Sequence, residues 1–211
     1  MFACRRMFRS VLLGQNRSFA RSSLHEIMKS SRAGSKVNFE SSCIRKIKAD
    51  EVHEVWMLEA QTFPEIPAEH LPIERFTRAQ RDAPELFWGH FADEKMTGFI
   101  FGTRGGGSKW TYDSMFKHDS EGAVAFVNLL CIYPEFRKMG IGSLLMKHLV
   151  RHIEENHKDV TKMCFICEAE LIPAYKHMGF TYVGPSDVTQ LGPTQWYDME
   201  YQVPASPKES E

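Results

Sequence analysis

Residues 123–132 read AVAFVNLLCI, ten positions at which Asn128 is the one polar side chain. A strand this uniformly apolar has no face to give to water, unlike the alternating strand of a sheet with one solvated side. It must be covered on both faces, so the rest of the chain has to supply helices for two sides of a sheet. Residues 42–48 (SCIRKIK) read as a first short strand. Asp50 offers an N-cap side chain. Val52, Val55, Trp56, Ala60 and Phe63 then recur at helical spacing until Pro64 and Pro67 end the helix. A second helix spans about 72–81, with Ile73 and Phe76 as its apolar stripe. Strands at 87–92 and 96–103 flank the turn Asp93-Glu94-Lys95 as a hairpin. Gly105-Gly106-Gly107 opens a polar loop that runs to Gly122. After residue 132 the pattern gives a loop over 134–142, a helix over 143–156, a buried strand over 163–167, a short helix over 171–178 stopped by Gly179, and a final strand over 194–203. The order β-α-α-β-β-β-α-β-α-β, with room for one further strand, describes an α/β fold: one mixed central sheet with flanking helices. That single domain is expected over 39–203, with residues 204–211 as a disordered polar tail.

The 26 basic and 27 acidic residues nearly cancel, but unevenly. Residues 1–38 hold eight basic residues and one acid, a net +7, and residues 39–211 hold 18 basic and 26 acidic residues, a net −8. The first segment, rich in Arg and Ser, has the composition of a mitochondrial presequence. Coiled as a helix it would gather Phe8, Val11, Leu12 and Phe19 on one side, with Arg5, Arg9 and Arg17 elsewhere. Arg17-Ser18-Phe19-Ala20 resembles a processing site. A mitochondrial location is therefore expected, with a basic tail on a cytoplasmic protein as the alternative. No apolar run reaches about 18 residues, so no membrane-spanning helix is expected. The acidic remainder has the wrong sign for binding nucleic acid.

The five cysteines, Cys4, Cys43, Cys131, Cys164 and Cys167, are an odd number, which argues against a disulfide framework. Cys164-Phe-Ile-Cys167 has the spacing of half a zinc site. It lies in an apolar strand, where residues three apart face opposite ways, so buried core cysteines are expected and no metal. His148 and His152 fall at i, i+4 on the predicted helix without the glutamate of a zinc-protease motif. A solvated helix face is the reading there.

The chemistry sits in VNLLCIYPEFRKMGIGSLL, residues 127–145. A buried strand ends at Ile132, a turn follows at Pro134, and Arg137-Lys138-Met139-Gly140-Ile141-Gly142 leads at once into a helix at Ser143. Glycines there let backbone N–H groups approach an anion closely. The helix start adds unsatisfied donors and the positive end of its dipole. Together they form a site for a pyrophosphate, and Arg137 and Lys138 add charge. The third glycine of a dinucleotide fingerprint is missing, and no G-x-x-x-x-G-K-[S/T] string occurs.

R-x-x-G-x-G between a strand and a helix resembles the acetyl-CoA-binding motif of the GNAT N-acetyltransferase superfamily. The likeness extends over 42–203: CFICEAELIPAYKHMGF (164–180) resembles the following strand and helix, with the frequent Y-x-x-x-G-F ending. More narrowly, C-E-A-E-L-I-P-A-Y (167–175) is similar to the C-E-x-x-L-x-P-x-Y string of arylalkylamine (serotonin) N-acetyltransferases of non-vertebrate type. PELFWG (84–89) is similar to that family's hairpin segment.

The resemblance implies acetyl transfer from acetyl-CoA to a small primary amine, with no metal. It implies that Leu129, Leu130 and Ile132 pair through their backbone with pantetheine, that residues 137–143 hold the pyrophosphate, and that Tyr175 protonates the leaving thiolate. Vertebrate members carry two histidines where this chain has Phe126 and Asn128, so either deprotonation runs through water or another side chain serves. Glu59, Glu65 and Glu168 are the candidates, Glu65 because it resembles an acidic loop residue of insect relatives. Asn128 would orient a water or the amine, or else be a satisfied buried amide. The substrate pocket is expected around Phe63, Phe87, Trp88, Phe126 and Glu168, since aromatic side chains suit an arylalkyl tail as well as an ordinary core. A monomer or weak dimer is expected. Two alternatives stay open: the same fold acting on a polyamine, amino acid or protein amine, or an acyl-CoA-binding protein without turnover.

Overall fold

The computed structural model describes residues 39–205. The basic segment read as a presequence and most of the polar tail lie outside them. Among the described residues, seven strands form one sheet in the order β1-β2-β3-β4-β5-β7-β6. They are β1 (Cys43–Lys46), β2 (Phe87–Ala92), β3 (Lys95–Gly105), β4 (Val124–Ile132), β5 (Lys162–Cys167), β6 (Thr181–Pro185) and β7 (Tyr197–Gln202). The helices are α1 (Val52–Thr62), α2 (Glu74–Asp82), α3 (Ile141–Asn156) and α4 (Ile172–His177). Neighbouring strands are antiparallel except β4 and β5, which run parallel.

The apolar β4 is covered on both faces, as its composition requires. On one side α3 packs Ile141, Leu145, Leu149 and Ile153 against Ile100, Val127, Met163 and Phe165. On the other, Val55 and Leu58 of α1 and Phe76 of α2 meet Phe87, Phe99 and Phe101. Several boundaries move by one to three residues from the sequence reading, and three differences bear on the local structure. Asp50 does not cap α1; it lies inside a tight turn, and Glu51 instead accepts the Lys48 N–H at 2.8 Å. Helix α3 begins two residues early, so Gly142 is helical. Strand β6 has no alternating pattern to reveal it, and its pairing with β7 makes it a strand.

One irregularity in the sheet opens the space beside β4. Phe101 pairs with Leu129, but Gly102 pairs with Val127, so Asn128 is an extra residue in β4. Such a bulge bends its strand. Pairing between β4 and β5 accordingly stops at Phe126–Cys164, although β4 continues to Ile132 and β5 to Cys167. The two strands part, and the β5-facing backbone groups of residues 127–132 are left without a ladder partner. Gly102 permits this: a Cβ there would sit 2.9 Å from the Phe126 carbonyl oxygen, a backbone atom with little freedom to yield. Gly102→Ala should destabilise the protein by about 1–3 kcal/mol, read as a lower denaturant midpoint at unchanged slope.

The α3 face read as solvated is not. Trp88 lies edge-on to His148 (4.4 Å between ring centroids) and His152 (5.2 Å), and His152 meets His157 at 5.3 Å. The Nε2 atoms of these three histidines are buried without a hydrogen-bond partner. Burial holds His148, His152 and His157, and likewise His90 and His118, below the ordinary value of 6.5. Below 6.5 the unfolded chain therefore binds protons that the folded chain refuses, and stability falls as pH falls. Carboxylates held low, such as Glu51 and Asp159, act only below their ordinary values of 4.5 and 3.8. The thermal midpoint should drop between pH 7.5 and 5.5, and His152→Gln should flatten that slope.

Candidate active site

The loop after β4 is built to turn N–H groups inward. The Arg137 Nε donates to the Ile132 carbonyl at 3.1 Å, tying the loop to the strand end. Lys138 (φ 64°) and Gly140 (φ 82°) are left-handed, and Met139 between them is not. Alternating hand of this kind makes a concave nest of amides. Helix α3 starts directly at Ile141 with no side-chain cap and no acid in its first turn, so its N–H groups and dipole are uncompensated. A hollow of about 270 Å³ results, lined by Ile132, Lys138, Gly140, Ile141, Gly142 and Ser143 among others. Met139 points away and is 52% exposed.

From Arg137, Gly142 and Ser143 a groove of about 400 Å³ runs past Ile132 and Leu130 to Thr62, Ala174 and Tyr175. It meets a smaller cavity of about 90 Å³ that opens where β4 and β5 part. Five side chains line both spaces: Phe63, Leu130, Glu168, Leu171 and Tyr175. The junction is thus where an acyl group carried along the groove would face a molecule held in the cavity. Leu129 and Asn128 line the cavity side.

Tyr175 is 8% exposed and sets its ring edge-on to Phe165 at 4.6 Å. Burial pushes its phenol well above the ordinary value of 10.0, so it keeps its proton at neutral pH. The neighbouring Cys167 thiol is pushed up to about 11 by burial, which makes it neutral and unreactive. Cys131, Cys164 and Cys167 are buried and free. Among the described residues no three His, Cys, Asp or Glu side chains converge to hold a metal.

Asn128 is engaged at both ends. Its Oδ1 accepts from the Trp110 Nε1 and its Nδ2 donates to the Thr103 Oγ1, each at 3.0 Å. The amide fixes the Trp110 ring in the cavity wall. Glu168 is half-buried at the junction, whereas Glu65 is exposed and lines neither space. Glu59, the third candidate for the base, is 1% exposed, lines the cavity, and is ion-paired with Arg75.

Three of the aromatic side chains expected in the pocket are elsewhere. Phe87 is fully buried against Phe76, at 5.8 Å, beneath α2. Trp88, the next residue of the same strand, faces α3. Phe126 packs behind the cavity wall, where β4 still pairs with β5. Of the predicted set, Phe63 and Glu168 reach the cavity, and the remaining wall comes from Ile66, Leu71, Trp110, Met115, Leu191 and Trp196. The available signal was Trp110 inside a polar loop; Trp196 falls in the segment read as the final strand but lies just before β7.

The profile of the Acetyltransferase (GNAT) family matches residues 51–180. The chain belongs to this family. The fold recurs in solved structures: the loading GNATL domain of CurA from Lyngbya majuscula (TM-score 0.63, 14% identity, 77% of this chain and 98% of that one), and Arabidopsis thaliana Naa50 in complex with the bisubstrate analogue CoA-Ac-MVNAL (TM-score 0.60, 15% identity, 77% and 99%). At these identities the likeness is one of fold. Among named relatives, Serotonin N-acetyltransferase of Mesocricetus auratus is 32% identical over 106 residues, 50% of this chain and 51% of that protein. The Homo sapiens protein of that name is 29% identical over the same length. The chain therefore spans about half the length of the relatives it matches.

Proposed function

We propose that this GNAT protein transfers an acetyl group from acetyl-CoA to the primary amine of a small arylalkylamine. The observation that carries the reading is the junction: a groove leading from the phosphate loop meets, at Tyr175, a cavity walled by Phe63, Trp110 and Trp196. Acetyl-CoA supplies the activated acyl group, and the residues present fit it. Residues 137–143 and the start of α3 bind its diphosphate. The unpaired backbone of β4 beyond Phe126 holds the pantetheine arm and offers N–H donors to the thioester oxygen, the electrostatic help acyl transfer needs. The aromatic walls exclude water and orient the amine's ring. Tyr175, protonated at neutral pH, donates towards the departing sulfur. An alkylammonium of pKa about 10 must lose its proton before it attacks. Glu168 touches both spaces and is the carboxylate through which that proton reaches solvent. The Serotonin N-acetyltransferase relatives support the amine class.

The test supplies the full chain with acetyl-CoA and follows thiol release with tryptamine, tyramine, dopamine, spermidine and a lysine peptide. Release driven by the arylalkylamines is expected. Release with spermidine or the peptide alone would overturn the amine class. CoA binding without release would leave a non-catalytic acyl-CoA-binding protein.

A further inference from the structure

Glu59 and Arg75 form a charged pair that packing does not explain. Glu59 lies on α1 and Arg75 on α2, and both side chains are shut off from solvent, at 1% and 0% exposure. Helices α1 and α2 already meet the sheet through Val55, Leu58, Phe76 and Ala79. Moving an ion pair out of water carries a large desolvation cost, and well-packed apolar side chains in its place are commonly neutral or stabilising. Beyond Glu59, the guanidinium has the Phe76 ring, with its carbon 4.4 Å from the ring centroid, and few hydrogen-bond partners. The Arg75 Nη1 reaches only the Met115 sulfur, at 3.7 Å, and its Nε has no hydrogen-bond partner. A thioether is a weak acceptor. Burial lowers the guanidinium to about 10, which still leaves it cationic at neutral pH.

The position of the pair matters more than its cost. Glu59 lines the cavity but not the groove, so it lies inward of the junction marked by Phe63, Leu130 and Tyr175. Phe63 is one helical turn further along the same segment, and its N–H donates to the Glu59 carbonyl at 2.9 Å. The other polar side chains on the cavity are differently committed. Asn128 has spent both ends of its amide on Trp110 and Thr103, and Glu168 and Tyr175 belong to the junction. With Glu59 the inner wall of the cavity is made of Ile66, Leu71, Met115, Leu191 and Trp196, apolar except for the Trp196 Nε1, a buried donor without a hydrogen-bond partner. A fixed carboxylate set inward of the junction, among mostly apolar side chains, is how a small-molecule site orients its ligand.

We propose that Glu59 is the amine-binding residue of the cavity, accepting a hydrogen bond from the substrate nitrogen, and that Arg75 is the positioning residue that fixes its carboxylate. The pair is neutral overall. An ammonium entering it would leave a net buried positive charge beside Arg75, whereas a neutral amine would not. The arrangement holds the nitrogen in place and disfavours its protonated form. It also selects amines that carry no acidic group beside the nitrogen, because a second carboxylate would meet that of Glu59. The proposal rests on the acetyltransferase reading above.

Three full-length variants test it: Glu59→Gln, Arg75→Met, and the double variant Glu59→Leu/Arg75→Met. Each is assayed for thermal midpoint, acetyl-CoA affinity, and kcat and KM for the best amine of the panel. For Glu59→Gln we expect acetyl-CoA affinity within about twofold and amine kcat/KM lower by about 10- to 150-fold, the loss of one charged hydrogen bond. The double variant should be at least as stable as the wild type and as deficient as Glu59→Gln. Arg75→Met should raise amine KM without moving that of acetyl-CoA. A stable double variant that turns the amine over within about threefold of the wild type would overturn the proposal. So would an equal loss of acetyl-CoA affinity, or the failure of both Glu59 variants to fold, which would assign the pair to stability. An effect confined to discrimination between ring-hydroxylated and unhydroxylated amines would overturn it too, by moving the contact to the far end of the ligand. If the wild type turns over no amine, the acetyltransferase reading fails separately. Quenching of tryptophan fluorescence by β-phenylethylamine, present in the wild type and lost in Glu59→Gln, would still support the contact. Its absence in the wild type, or its persistence in the variant, would overturn it.

Discussion

Gly140→Glu should raise the dissociation constant for CoA by at least about 100-fold, close to 2.7 kcal/mol, while the protein stays folded. Two separate terms make up that loss. The first is conformational: Gly140 holds φ at 82°, a left-handed backbone that costs a side-chain-bearing residue about 1–2 kcal/mol. Free of ligand, the loop can relax out of that conformation, and binding must then restore it. The second is charge: a carboxylate about 4 Å from a diphosphate oxygen repels it by about 4 kcal/mol at an effective dielectric of 20, less what salt screens. Bulk is not among the terms, because a Cβ at Gly140 meets no atom within 4 Å. Gly140→Ala and Gly140→Lys separate the two. Alanine carries the strain alone and should cost about tenfold or less; lysine carries the same strain with favourable charge and should bind no worse than alanine. Calorimetric titration with CoA reads all three. Binding by the glutamate variant within threefold of the wild type would remove the loop as the diphosphate site.

That loop was readable because it is local. Strand end, Arg137, Gly140, Gly142 and helix start follow one another within 20 residues, and all but Arg137, whose side chain ties the loop to the strand end, act through their own backbone. The two-sided cover of β4 was likewise implied by its uniform apolar composition. The cavity was not readable, for two physical reasons. Its wall is gathered from segments remote in sequence: Phe63 after α1, Trp110 in the loop after β3, Trp196 before β7. And concentration of aromatics does not give direction. Phe87 and Trp88 are adjacent on β2 and so face opposite sides of the sheet, one into the core beneath α2 and the other against α3, with neither at the cavity. The bulge at Asn128 was hidden for a further reason. It exists only in the register between β3 and β4, although Gly102 in a strand and a lone amide in an apolar run are its two traces. Glu59 shows the same limit for charge: a helical acid looks like a surface residue until its partner on another helix is known.

Tyr175→Phe should lower kcat by about 10²- to 10⁴-fold, the range for loss of one general acid, and leave acetyl-CoA affinity within about twofold. The ring's packing against Phe165 and Phe180 survives the substitution, since only the hydroxyl is removed. Tyr175 lines both spaces at the junction, and in the proposed mechanism the thiolate's negative charge appears there only as the thioester bond breaks. An interaction made only at that stage affects kcat and not ground-state binding. The pH dependence sharpens the test. Burial keeps the Tyr175 proton in place well above its ordinary value of 10.0, so the donor is fully protonated across the assay range. The ratio of wild-type to variant kcat should therefore be constant from pH 6.5 to 9, even if both rates rise with pH as the amine loses its proton. A ratio that fell towards high pH would mean that Tyr175 ionises within the range, contrary to its burial. An unchanged kcat in the variant would leave reprotonation of the thiolate to water entering along the groove.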